Sequence, residues 1–192
     1  MEIIGLSGTN GSGKDFVGEL LAREYNFMFI SVTDLLRAEA TLRREPVERE
    51  VLRSISAEWR RESGLGVLVE KAHQEYLKVA DKYDGVVIGS MRNPGEADAI
   101  HELGGVMVWL DADARIRYDR IQVNVVARNR AEEDNKTFEQ FIAEEEAEMH
   151  LPEGGDIAQL DGQAVKDRCD VFIVNDGSEA DSIRAAIAEL LS

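Results

Sequence analysis

Gly8, Thr9, Asn10, Gly11, Ser12, Gly13 and Lys14 stand in an order that suits one chemistry, the holding of a phosphate chain. Glycines let successive backbone N–H groups turn toward a single anion, and a helix starting where the loop ends adds its positive N-terminal charge. The closing lysine can then reach the β- and γ-phosphates of a nucleoside triphosphate. Gly8, Asn10, Gly11, Ser12, Gly13 and Lys14 are therefore the candidate donor-site residues, with ATP the expected co-substrate. One position departs from the pattern: Asp15 stands where a hydroxyl residue would meet Mg2+. An acid in a first helical turn suits the macrodipole, so a structural role is open to it. Beside phosphate oxygens, however, it repels them unless a cation intervenes, and we expect Asp15 to contact Mg2+ directly or through water.

Such a loop works only if a strand delivers it and a helix leaves it. Short apolar runs at Glu2–Leu6, Phe27–Ser31, Gly85–Ile88, Val106–Leu110 and Val171–Val174 read as buried parallel strands. Between them, Leu65, Leu68, Val69, Ala72 and Tyr76 recur at helical spacing, as do Val51, Ile55 and Trp59, and later Ile183, Ile187 and Leu190. The alternation predicts an α/β three-layer fold, with a parallel sheet of about five strands and helices on both faces. With 3 prolines and no Ser/Gly-rich linker, residues 1–192 read as one domain. A helical insertion is expected over about 33–82 and a lid over about 120–150. The run Glu144, Glu145, Glu146 and Glu148 reads as a solvated helix face.

The balance of 38 acidic against 22 basic residues argues against extended nucleic-acid and anionic-membrane partners. A locally basic pocket for a small phosphorylated ligand is still compatible with it. One cysteine excludes a disulfide framework and a cysteine zinc cluster. The absence of a basic leader or a long apolar run makes a reduced, cytoplasmic setting the expectation.

With these residues in place, the chain resembles the nucleoside-monophosphate-kinase-like branch of the P-loop proteins. It is similar to phage-type deoxynucleoside monophosphate kinases, where Gly-Lys-Asp can replace Gly-Lys-Ser/Thr, and to dephospho-CoA kinases and a related archaeal group. Ser31-Val32-Thr33-Asp34-Leu35-Leu36-Arg37 is similar to the segment whose arginine holds the acceptor. Val87-Ile88-Gly89-Ser90-Met91-Arg92 resembles the run in which an acid, a glycine and an arginine usually follow the strand; here Gly89 takes the place of the acid. The segment from Asp170 to Gly177 looks like the strand and turn that pass the adenine, which makes Asn175 and Gly177 donor-site candidates.

The resemblance implies phosphoryl transfer from ATP to a small phosphorylated acceptor, most simply a nucleoside or deoxynucleoside monophosphate. Asp34, Arg37 and Arg92 would bind the acceptor, and Arg120, Arg128 or Arg130 would close over the transferring group. Asp34, Arg37, Arg92 and Asp111 all fall just past strand ends, where open α/β sheets place ligands. Each also has a structural reading, as a surface arginine, helix cap or turn residue. Phe29, Trp59, Tyr76 and Tyr83 are core aromatics or a base-stacking surface. Two alternatives stand: a dephospho-CoA-kinase-like enzyme using Asp34 as base toward a hydroxyl, and a nucleotide-binding regulator without turnover.

Overall fold

The computed structural model describes residues 2–123, 136–177 and 180–191. Five parallel strands, β1 (Ile3–Gly8), β2 (Phe27–Ser31), β3 (Gly85–Gly89), β4 (Val106–Asp111) and β5 (Val171–Val174), form one sheet in the order β2-β3-β1-β4-β5. All five lie where the apolar runs predicted them. Strands β1, β3 and β4 extend one or two residues further, toward the edge where the loops emerge. Because β1 is flanked by β3 and β4, the chain leaves its carboxyl end at a topological switch point, where α/β sheets open a crevice.

Nine α-helices complete the described chain: α1 (Lys14–Tyr25), α2 (Val32–Arg43), α3 (Arg49–Ser63), α4 (Val67–Leu77), α5 (Pro94–Glu102), α6 (Ala114–Val123), α7 (Phe138–Met149), α8 (Gly162–Lys166) and α9 (Ala180–Leu191). One sheet face is covered by Val17, Leu20 and Leu21 of α1 with Ile183 and Ile187 of α9. The other is covered by Leu68, Val69 and Ala72 of α4, Ile100 of α5 and Val165 of α8, with α2 and α3 packed outside them. The expected helical arm between β2 and β3 is thus α2 to α4 plus a 3-10 turn at Ala80–Lys82, and it contains no strand.

Local signals explain the boundaries nearest the site. Asn93 and Glu96 form a capping box at the start of α5, with Pro94 in its first turn. Thr137 and Gln140 do the same for α7. At α1 the N-cap is Gly13, and no side chain caps it. The first N–H groups of that helix are left for something else.

Candidate active site

The turn from β1 into α1 is tightly crowded at its two ends. Gly8 (φ 141°) passes so close to β4 that a Cβ there would lie 1.9 Å from the Leu110 carbonyl oxygen. Gly13 turns the chain into α1 at φ 98°, and a Cβ would meet the Asn175 side chain at 2.8 Å. Cross-links hold the turn in shape. Ser12 Oγ donates to the Thr9 carbonyl at 2.8 Å, and Thr9 Oγ1 donates to Asp111 Oδ1 at 2.7 Å. Asn175 Nδ2 donates to the Ser12 carbonyl at 2.8 Å, and the Asn175 N–H reaches the Asp111 carbonyl at 2.7 Å. The segments after β1, β4 and β5 are therefore locked together around the open start of α1.

Lys14 folds back, its Nζ donating to the Thr9 carbonyl at 2.5 Å. Burial in the cleft, with Arg92 and Arg117, lowers its pKa from 10.5 to about 7 against the opposing pull of Asp15 and Glu148. Burial therefore disfavours the ammonium form, which a nearby anion would favour. Asp15 is exposed in the first turn of α1. Among the described residues no group of three or more His, Cys, Asp or Glu side chains could hold a metal by itself. Asp15 fits an ion that draws most of its ligands from bound phosphates, the habit of Mg2+.

Arg92 is positioned by an unusual density of hydrogen bonds. Ser90, at φ 70°, bends the chain away from β3, and Ser7 Oγ of β1 donates to the Met91 carbonyl at 2.9 Å. The Arg92 N–H donates to Glu96 Oε2 at 2.8 Å, and its carbonyl accepts from the Asp161 N–H at 2.9 Å. Glu96 is in turn held by Arg60 of α3, at 2.7 and 3.1 Å, in an ion pair from which solvent is excluded.

The acidic run on α7 is not a solvated face, which corrects the expectation from sequence. Glu148 meets Arg53 at 2.6 Å, Arg92 at 3.3 Å and Arg49 at 3.4 Å. Glu144 pairs with Arg49 at 3.1 Å and with Lys136. Glu145 pairs with Arg117, a buried arginine of α6 that also donates to the carbonyls of Ala112 and Asn10. Glu144, 47% exposed, and Glu146 remain on the surface, so the run is solvated only in part. Helical spacing shows which residues share a stripe, but not that arginines from two distant segments await it. Burial alone would push the Glu148 carboxyl up; Arg92, Arg49 and Arg53 outweigh it and hold the pKa below the usual carboxylate value.

Other candidates land in varied places. Arg37 is paired with Asp34 at 2.7 Å on α2, and two further arginines of the arm, Arg49 and Arg53, which the motif reading missed, meet the acids of α7. Arg120 is tied to the carbonyls of Asn175 and Gly177 at 2.8 and 2.7 Å, so it braces the turn after β5. Arg128 and Arg130 lie outside the described residues. Tyr76 is core; Trp59, under Lys71 at 4.3 Å, lines a groove between α2, α3 and α4. Gly89 has a packing reason: a Cβ there would sit 2.9 Å from the Phe29 ring, which also fills the space beside Gly18. Cys169, pushed up to about 12 by burial and then Asp170, is no nucleophile at neutral pH.

No family model matches the chain. Among solved structures, TT1252 from Thermus thermophilus superposes with a TM-score of 0.58 at 20% identity, covering 99% of this chain and 96% of that one. A shikimate kinase from Bacteroides thetaiotaomicron gives 0.52 at 16%, covering 98% and 95%. A gluconokinase from Sinorhizobium meliloti gives 0.52 at 17%, covering 99% and 91%. The fold is that of the P-loop kinases. In sequence, a UPF0200 protein of Thermococcus sibiricus is 26% identical over 163 residues, 83% of each chain. No helix among the described residues is long and apolar enough to cross a membrane.

Proposed function

We propose that the protein transfers the γ-phosphoryl group of ATP to a small phosphorylated acceptor, a nucleoside or deoxynucleoside monophosphate. One observation carries this reading: Lys14 from the glycine loop and Arg92 from the end of β3 share a cleft closely enough for the arginine to help depress the lysine's pKa. Two cations in one partly buried cleft repel each other, and a polyanion joining them relieves that repulsion. The backbone at Met91 and Arg92 is fastened by Ser7, Glu96 and Asp161, so the start of the Arg92 side chain is fixed at the sheet edge.

In this reading the uncapped N–H groups of α1 and Lys14 bind the β- and γ-phosphates, while Asn175 and Gly177 border the adenine. Asp15 would hold Mg2+, whose contribution when bound is to neutralise phosphate charge. Arg92 grips the acceptor, with Arg37 approaching from the arm. An oxygen of the acceptor phosphate attacks the γ-phosphorus, the bond to the β,γ-bridging oxygen breaks, and ADP leaves. That nucleophile is already anionic at neutral pH and needs no base. Catalysis then rests on alignment and charge neutralisation, the work of Lys14, Arg92 and lid arginines.

The shikimate kinases and gluconokinase share the fold, and the acceptors in their names are not nucleotides; the acceptor class here rests on the arginines. The deciding experiment is ADP release from saturating ATP and Mg2+ across nucleoside and deoxynucleoside monophosphates, dephospho-CoA and shikimate. Turnover with a monophosphate, lost in Lys14→Ala, supports the reading. Turnover with dephospho-CoA alone would shift it to hydroxyl phosphorylation with Asp34 as base. ATP binding with no acceptor consumed would make the protein a regulator.

A further inference from the structure

We propose that Arg49, Arg53 and Arg92 form one binding site for the acceptor's phosphate, and that Glu148 of α7 is its built-in occupant, expelled when the phosphate arrives. The inference rests on a phosphorylated acceptor and adds two arginines and an internal competitor to that reading.

Three guanidinium groups from two segments far apart in the chain converge on a single carboxylate. Arg49 and Arg53 are four residues apart on α3, so they occupy neighbouring turns of one face. Arg92 comes from the sheet edge. The Glu148 side chain is only 11% exposed, and its charge is felt by Lys14, which puts it beside the donor loop as well. Glu50 and Glu144 also touch Arg53 and Arg49, but their side chains are 83% and 47% exposed, and water screens such pairs. Inside the cleft, three positive charges therefore face one negative charge. A carboxylate leaves that site undercompensated; a phosphomonoester brings up to two charges and three acceptor oxygens, which suits a cluster of arginine forks.

Steric closure goes with the electrostatics. Helix α7 lies across the cleft mouth, with Phe141 buried and Glu145 pinned to Arg117, which itself donates to the Asn10 carbonyl of the loop. The cavity left among Thr9, Asn10, Arg49, Arg92 and Glu148 measures about 10 Å³, the lower limit for a single water. No phosphate fits beside Glu148, so it must enter in its place. The docked helix thus opposes weak anions, and a ligand presenting a dianion outcompetes it.

The test uses the full chain with inorganic phosphate as the probe, read by calorimetry and by hydrogen exchange of residues 138–149. Glu148→Gln should bind phosphate at least about tenfold more tightly than the parent, the factor recovered when a docked form favoured about 10:1 is released. Adding Arg53→Gln to that variant should abolish the gain, whereas phosphate held at the glycine loop would not respond to Arg53. In the parent, saturating phosphate should speed exchange along α7. Equal phosphate affinity in parent and Glu148→Gln, or exchange along α7 unchanged or slowed by phosphate, overturns the inference. If Glu148→Gln fails to fold, the parent's exchange measurement decides alone. Phosphate-driven release of α7 in a protein that phosphorylates no acceptor would sustain the inference while sinking the proposed reaction.

Discussion

Glu96→Ala tests whether the cleft is held together from behind. The Glu96 carboxylate has no exposed surface, and it accepts four hydrogen bonds: two from Arg60, at 2.7 and 3.1 Å, and one each from the N–H groups of Arg92 and Asn93, at 2.8 and 3.1 Å. Removing it leaves the Arg60 guanidinium, 2% exposed, with only the neutral Ser56 Oγ and Ala158 carbonyl as partners. Breaking one side of a buried pair costs about 3–5 kcal/mol. At about 2–4 °C per kcal/mol for a domain of this size, Tm should fall by about 6–20 °C. The matched control is Glu75→Ala, whose pair with Lys78 is equally short at 2.6 Å but about half exposed; it should change stability by less than about 1 kcal/mol. Thermal melts followed by circular dichroism, with urea titrations alongside, give both numbers. Adding Arg60→Met to Glu96→Ala should restore part of the loss, because the stranded charge is then gone. A Tm drop no larger than that of Glu75→Ala, or no recovery in the double variant, would refute the reasoning.

Lys14 makes stability depend on pH: its folded pKa is about 7, while an unfolded lysine keeps its proton to about pH 10. Between those values the unfolded chain binds more protons, so the parent should gain stability relative to Lys14→Met as pH rises from about 7 to 10; parallel curves would contradict this. Bound phosphates should restore the ammonium, so ATP binding at pH 8 should take up a proton, read by calorimetry in buffers of different ionisation heat; no uptake would separate Lys14 from the phosphates. Gly89→Ala should destabilise by about 1–3 kcal/mol through overpacking against Phe29, and Phe29→Leu should relieve it in the double variant; additive losses would remove Phe29 as the cause. Asp15→Asn should raise the Mg2+ concentration needed for half-maximal turnover, and an identical Mg2+ titration would leave Asp15 a structural residue.

The sheet, the arm and the glycine loop could be read from residue order because each leaves a pattern of residue types within a few positions. Apolar runs of four or five residues located all five strands: central β3, buried on both faces, must be apolar throughout, and edge strand β5 is apolar too although Phe172 and Val174 are exposed. The loop at 8–14 was legible because glycines at positive φ and a helix start left uncapped show in the residue types themselves, although the groups that crowd Gly8 and Gly13 come from β4 and Asn175, far along the chain. Tertiary structure alone decided what the charged residues do. The acids of α7 carry the same helical spacing whether they face water or arginine, and only the fold brings Arg49 and Arg53 of the arm, Arg92 of the sheet edge and Arg117 of α6 against them. Arg37, in the segment that resembles an acceptor motif, is instead paired with Asp34 of its own helix. Coulomb attraction acts through space and is strengthened where solvent is excluded, so partners 28 to 95 residues apart leave no periodic trace in the chain that encodes them.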